Sequence, residues 1–88
     1  MMSRLINGHK VTIVEEGKKI SIVNMVSRRK FFIRAPKNSS FYCFAEHCTE
    51  GTTIIMSFWP RPKNSEWPDW HYKIDFKNKN VLRVNPWK

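Results

Sequence analysis

Cysteine is scarce in this chain, with Cys43 and Cys48 the only two among 88 residues. Two thiols cannot build the disulfide framework that stabilises small secreted domains, which points to a reducing compartment where both stay free. The pair lacks the second downstream pair of a four-ligand zinc site, and His9, His47 and His71 add soft ligands without completing a set. No metal and no cofactor is therefore expected, with Cys43 read as a small buried residue and Cys48 placed with His47 near a turn.

Glycine occurs only as Gly8, Gly17 and Gly51, so no glycine-rich loop is present to cradle a nucleotide phosphate. Acidic residues number seven. Glu46 with His47 and Asp69 with His71 lie close in sequence, but closeness along a strand is not a pairing. Nothing marks a nucleophile with an orienting group or an oxyanion hole. No catalytic residue is assigned, and a non-enzymatic role is expected.

No apolar run approaches the roughly 18 residues of a membrane span, and the opening segment MMSRLINGHKVTIVE has no apolar signal-peptide core. A cytoplasmic protein without a membrane span is expected. No repeat, low-complexity tract or heptad divides the chain, which reads as a single small basic β-rich domain over residues 1–88. No pattern in it specifies an oligomeric state.

Against these absences stand the aromatic residues, 14% of the chain with four Trp and six Phe, and a net charge of +9. Large rings bury roughly 150–250 Å² each, which lets so short a chain form a core. The charge favours a negatively charged partner and does not bear on fold.

Short runs of β-branched and aromatic residues recur about every ten residues between turn formers, the pattern of a small all-β domain with six or seven short strands. Val11–Val14 and Ile20–Val26 flank Glu15-Glu16-Gly17-Lys18 and predict a hairpin in which Gly17 takes positive φ. Arg29–Arg34 predicts a third strand, with Phe31 and Ile33 on one face, ended by Ala35-Pro36. Phe41–Cys48 reads either as a strand starting at Phe41 or as one or two helical turns, because so short a run does not settle the period. Thr52–Phe58 places Ile54, Met56 and Phe58 on one side. Trp70–Phe76 alternates most cleanly, with Trp70, Tyr72, Ile74 and Phe76 on one face and His71, Lys73 and Asp75 on the other. Asn78-Lys79-Asn80 then turns into Val81–Val84. Hiding strand edges and burying the rings predicts a small antiparallel barrel or one highly curved sheet, with at most one short helix near residues 41–48.

Charge is uneven along the chain. From Gly17 to Ala45 lie Lys18, Lys19, Arg28, Arg29, Lys30, Arg34 and Lys37 with no acid, whereas residues 46–69 hold more acids than bases. Pairing the second and third strands puts Arg28, Arg29 and Lys30 at one end of a basic strip and Lys18 and Lys19 at the other. The arginines weigh most, since guanidinium grips phosphate through two parallel hydrogen bonds and stacks on bases. Phe32 falls off the core-facing alternation inside the strip. The candidate set for a polyanion is thus Lys18, Lys19, Arg28, Arg29, Lys30, Phe32, Arg34 and Lys37. The competing reading of these residues is a solvated surface that serves solubility.

A second candidate surface is the proline-rich stretch Pro60–Pro68 with Trp59 just before it, where Trp59, Arg61, Lys63 and Trp67 offer the residue types that dominate protein interfaces. Two partner classes follow. One is nucleic acid, bound without catalysis by the basic strip and exposed rings. The other is an acidic protein surface, docked by a small regulator of viral or mobile-element type through a basic, Trp-rich face.

Overall fold

The computed structural model describes residues 2–59 and 67–87, and among them the chain is all-β, with eight strands and no α-helix. Strands β1 (Met2–Ile6), β2 (His9–Val14), β3 (Lys19–Asn24) and β4 (Lys30–Arg34) form one sheet; β5 (Ser39–His47), β6 (Gly51–Phe58), β7 (Asp69–Asp75) and β8 (Asn80–Pro86) form the other. Within each sheet every strand pairs antiparallel with the next, so the architecture is two four-stranded meanders. This corrects the expectation of a barrel or one curved sheet of six or seven strands. The break falls after β4, where Pro36 offers no ladder donor and Asn38 takes φ 65. Ala35 N–H instead bonds the Lys18 carbonyl, and Ser39 N–H bonds that of Pro36, steering the chain out of the first sheet.

The added strand is β1. It is an edge strand whose first four residues are all exposed, so burial leaves no alternation in its sequence. Its partner is set by the turn: Asn7 and Gly8 both take positive φ, 47 and 74, between the paired Ile6 and His9. That is the two-residue geometry favoured in hairpins because it matches strand twist.

The segment near residues 41–48 is β5, with no helix. Phe41 pairs with Met56 and Phe44 with Ile54, while Cys43 faces Ile55, so Tyr42 is an extra residue in a β-bulge. The bulge lets Phe41 and Phe44, three apart, both point inward, which imitates a helical spacing.

Val11, Ile13, Ile20, Ile22 and Ile33 of the first sheet form one buried cluster with Phe41, Phe44, Ile54, Met56 and Tyr72 of the second. Val11, Ile20, Ile22, Ile54 and Met56 are fully buried, and each stabilises the fold by about 1.5–3 kcal/mol through removal of apolar surface from water. The β2–β3 hairpin turns through a single 3-10 turn, Glu15–Gly17. There Gly17 (φ 88) lies against the Phe41 backbone, so the turn of one sheet abuts a strand of the other.

A candidate nucleic-acid interface

Residues directly opposite on paired strands share a face. With Val11, Ile13, Ile20, Ile22 and Ile33 turned to the core, the outer face of the first sheet carries Lys10 on β2, Lys19 on β3, and Lys30, Phe32 and Arg34 on β4. Ser3 and Thr12 lie on the same face, their hydroxyls 2.9 Å apart. None of the four strands contains an acidic residue. The strands of the second sheet, in contrast, include Glu46, Asp69 and Asp75.

Midway along the edge strand β4 stands Phe32, 49% exposed. The Lys19 ammonium is 4.3 Å from its ring centroid and that of Lys30 is 5.0 Å away. Phe32 faces Ser21 across the ladder, and Ser21 is buried although it lies on this outer face. Two cations flanking an open aromatic ring can hold phosphates while a base stacks on the ring. Lys19 has one acidic neighbour: Glu15 Oε2 lies 2.6 Å from its Nζ. The hydrogen bond from Lys19 lowers the Glu15 pKa below the usual carboxylate range.

The remaining basic residues flank this face. Arg28 and Arg29 lie in the β3–β4 turn, where Arg28 takes φ 66 and its N–H bonds the Asn24 carbonyl. The Asn24 Oδ1 accepts from Val26 N–H and Ser27 N–H, at 2.9 and 3.0 Å, and shapes that turn. Lys18 sits at the opposite end beside the 3-10 turn, and Lys37 lies in the β4–β5 connection. Lys18 and Trp59 line one shallow cleft there. Trp59 is 79% exposed, and its N–H bonds the Asn38 carbonyl. Trp67 is also exposed, and its carbonyl accepts from Trp70 Nε1 at 3.0 Å. Arg61 and Lys63 lie outside the described residues.

Sequence reasoning missed a polar cluster on the second sheet's outer face. His71 lies on the β7 face opposite Tyr72, as the alternation predicts, and there it is buried. A hydroxyl has one proton: Thr53 Oγ1 donates it to the Ala45 carbonyl at 3.2 Å, so His71 Nδ1 donates to Oγ1 at 2.6 Å. Burial first, and then nearby His47, push the His71 pKa below its ordinary value. His47 meets His71 edge to face at 5.0 Å. Its Nδ1 accepts the N–H groups of Thr49 and Glu50, so its Nε2 carries the proton and donates to Asn85 Oδ1 at 2.6 Å. Both His47 nitrogens are thus occupied in holding the β5–β6 turn and β8. The β7–β8 register shift near His71 assembles this group, because one β7 residue there faces two on β8. Only the shift could have revealed it, and a bulge has no signature in the alternation of β7.

Both cysteines are free thiols; Cys43 is half-buried and Cys48 exposed. Among the described residues no three His, Cys, Asp or Glu side chains are arranged to hold a metal ion, and no helix is long and apolar enough to cross a membrane.

Fold and surface together define a small all-β chain whose first sheet has strands with basic and no acidic residues. No protein family, curated protein or solved structure matches it.

Proposed function

We propose that this protein binds single-stranded nucleic acid, without catalysis, on the outer face of its first sheet. The observation that carries the reading is Phe32, exposed between the Lys19 and Lys30 ammonium groups on strands without acids. Lys10, Lys30 and Arg34 neutralise backbone phosphates, while Lys19, paired with Glu15, flanks Phe32, which supplies a stacking platform for one base. Arg28 and Arg29 at one end, and Lys18 and Lys37 at the other, extend the positive field along the strand direction. The test is fluorescence anisotropy with labelled single-stranded DNA, single-stranded RNA and duplex DNA at two salt concentrations. Tight binding to a single strand that falls steeply with salt supports the reading; no binding, or binding indifferent to salt, overturns it.

A second reading rests on Trp59, exposed beside Lys18. A ring this open next to a cation suits an acidic protein surface, where Trp and Arg anchors dominate affinity. In that case a stoichiometric partner survives nuclease treatment of the lysate and is lost on Trp59→Ala.

A further inference from the structure

At the turn end of the β3–β4 hairpin, a cleft of about 400 Å³ separates the two sheets. One wall is a ring pair: His9 of β2 lies flat on Phe76, which follows β7, with centroids 4.1 Å apart and planes 14° apart. The other wall brings Arg29 and Lys30, neighbours in the chain, together with Lys79 of the β7–β8 turn, and no acidic residue lines the cleft. The nearest acid in sequence, Asp75, is engaged: its oxygens accept from Asn78 Nδ2 at 2.7 Å and Asn78 N–H at 3.1 Å. Lys79 Nζ is held 5.4 Å from the Phe31 ring centroid.

Arg29 and Lys79 line the cleft with no acid among its lining residues, and like charges so placed repel each other unless an anion sits between them. The cleft also offers an amide: Asn24 Nδ2 is 3.5 Å from His9 Nε2, a long and weak contact that leaves the amide able to donate elsewhere. Lys30 belongs to both surfaces, since it lines the cleft while its ammonium stands over Phe32. The positive surface therefore continues from the outer face, around the β4 edge, into the cleft.

We propose that the cleft bounded by His9, Phe76, Arg29, Lys30 and Lys79 receives a backbone phosphate of the nucleic-acid strand lying on the first sheet. This rests on the nucleic-acid reading above and extends it: the strand leaves the face over the β4 edge, and the cleft sets the length of the site. A short oligonucleotide occupies Phe32 and its lysines alone, and a longer one also reaches the cleft.

Two oligothymidylates test this, of about four and about twelve nucleotides, which bracket the site sizes of small single-strand binders. They are titrated into wild type, Arg29→Gln, Lys79→Asn and Arg34→Gln across a salt series. Asn tolerates the left-handed backbone of Lys79, φ 56. The expected result is that each cleft variant weakens the longer oligomer several-fold, lowers its salt slope by about 0.7, and leaves the shorter one unchanged. The His9 imidazole resonances of the wild type should shift with the longer oligomer and not with the shorter. If Arg34→Gln weakens binding while both cleft variants behave as wild type and the His9 resonances stay still, the cleft proposal fails and the face remains the site. If none of the three variants changes binding, the nucleic-acid reading fails and takes the cleft with it.

Discussion

The imidazole of His9 and the ring of Phe76 lie 4.1 Å apart and nearly parallel, and they join the two sheets at the end opposite the Gly17–Phe41 contact. Their order comes from the sheets: His9 begins β2, and its Nδ1 donates to the Asn7 carbonyl at 2.8 Å, which fixes the ring plane against Phe76. Both ends of the inter-sheet core are thereby closed by a specific contact, and one of the two is also the wall of a positively lined cleft.

Phe32→Ala should reduce affinity for a single strand by roughly 5- to 150-fold, the equivalent of ~1–3 kcal/mol per stacked base. The salt slope should not change, since no phosphate contact is removed. Stability should move by less than about 0.5 kcal/mol because the ring is half exposed. Anisotropy against salt and a urea melt check all three statements.

Replacing Lys30 and Arg34 together by Gln should lower the salt slope by about 1.4, near 0.7 for each phosphate contact. Replacing Lys73 of β7 and Lys77 of the β7–β8 turn should leave it unchanged, since Lys73 is already paired with Glu50 at 3.2 Å and Lys77 does not line the cleft. Equal losses from both pairs would mean that the edge-strand charges only keep β4 from pairing with another chain.

Thr53→Val keeps side-chain volume but removes the oxygen that accepts from His71 Nδ1. The buried imidazole is left with an unsatisfied donor, and a loss of about 1–3 kcal/mol is expected in urea denaturation.

The lowered pKa of His71 makes stability depend on pH. The folded protein binds that proton less readily than the unfolded chain, so the contribution is complete above the ordinary value near 6.5 and declines as pH falls from there toward the folded pKa. Urea midpoints measured from about pH 5 to about pH 8 should therefore rise with pH and level off, and His71→Gln should remove that part of the slope.

Gly17→Ala should cost more than Gly51→Ala. Both positions have positive φ, 88 and 73, which alone costs an alanine roughly 1–2 kcal/mol. A methyl at Gly17 also runs into the Phe41 carbonyl oxygen, whereas one at Gly51 meets open space. Thermal melts of the two variants give the comparison.

Periodicity in the sequence was enough to recover β2, β3, β4, β6 and β7, because each has a regular inward set such as Ile20 and Ile22 or Ile54 and Met56. It failed at β1 and β5 for different reasons. An exposed edge strand needs no alternation, although Asn7-Gly8 is a hairpin turn signal. A bulge at Tyr42 breaks the alternation that β5 would otherwise show.

The sequence alone determined the all-β class, the local hairpins and the acid-free basic stretch, because these depend on neighbouring residues and on composition. Only the tertiary structure decided that the strands divide into two sheets, since the division turns on where Pro36 and Asn38 send the chain. It also separated the basic residues, placing Lys19, Lys30 and Arg34 with Phe32 on one face and Arg29 at a cleft with Lys79, fifty residues further along. Pairwise register and inter-sheet packing set those distances, and neither is a property of any short stretch of chain.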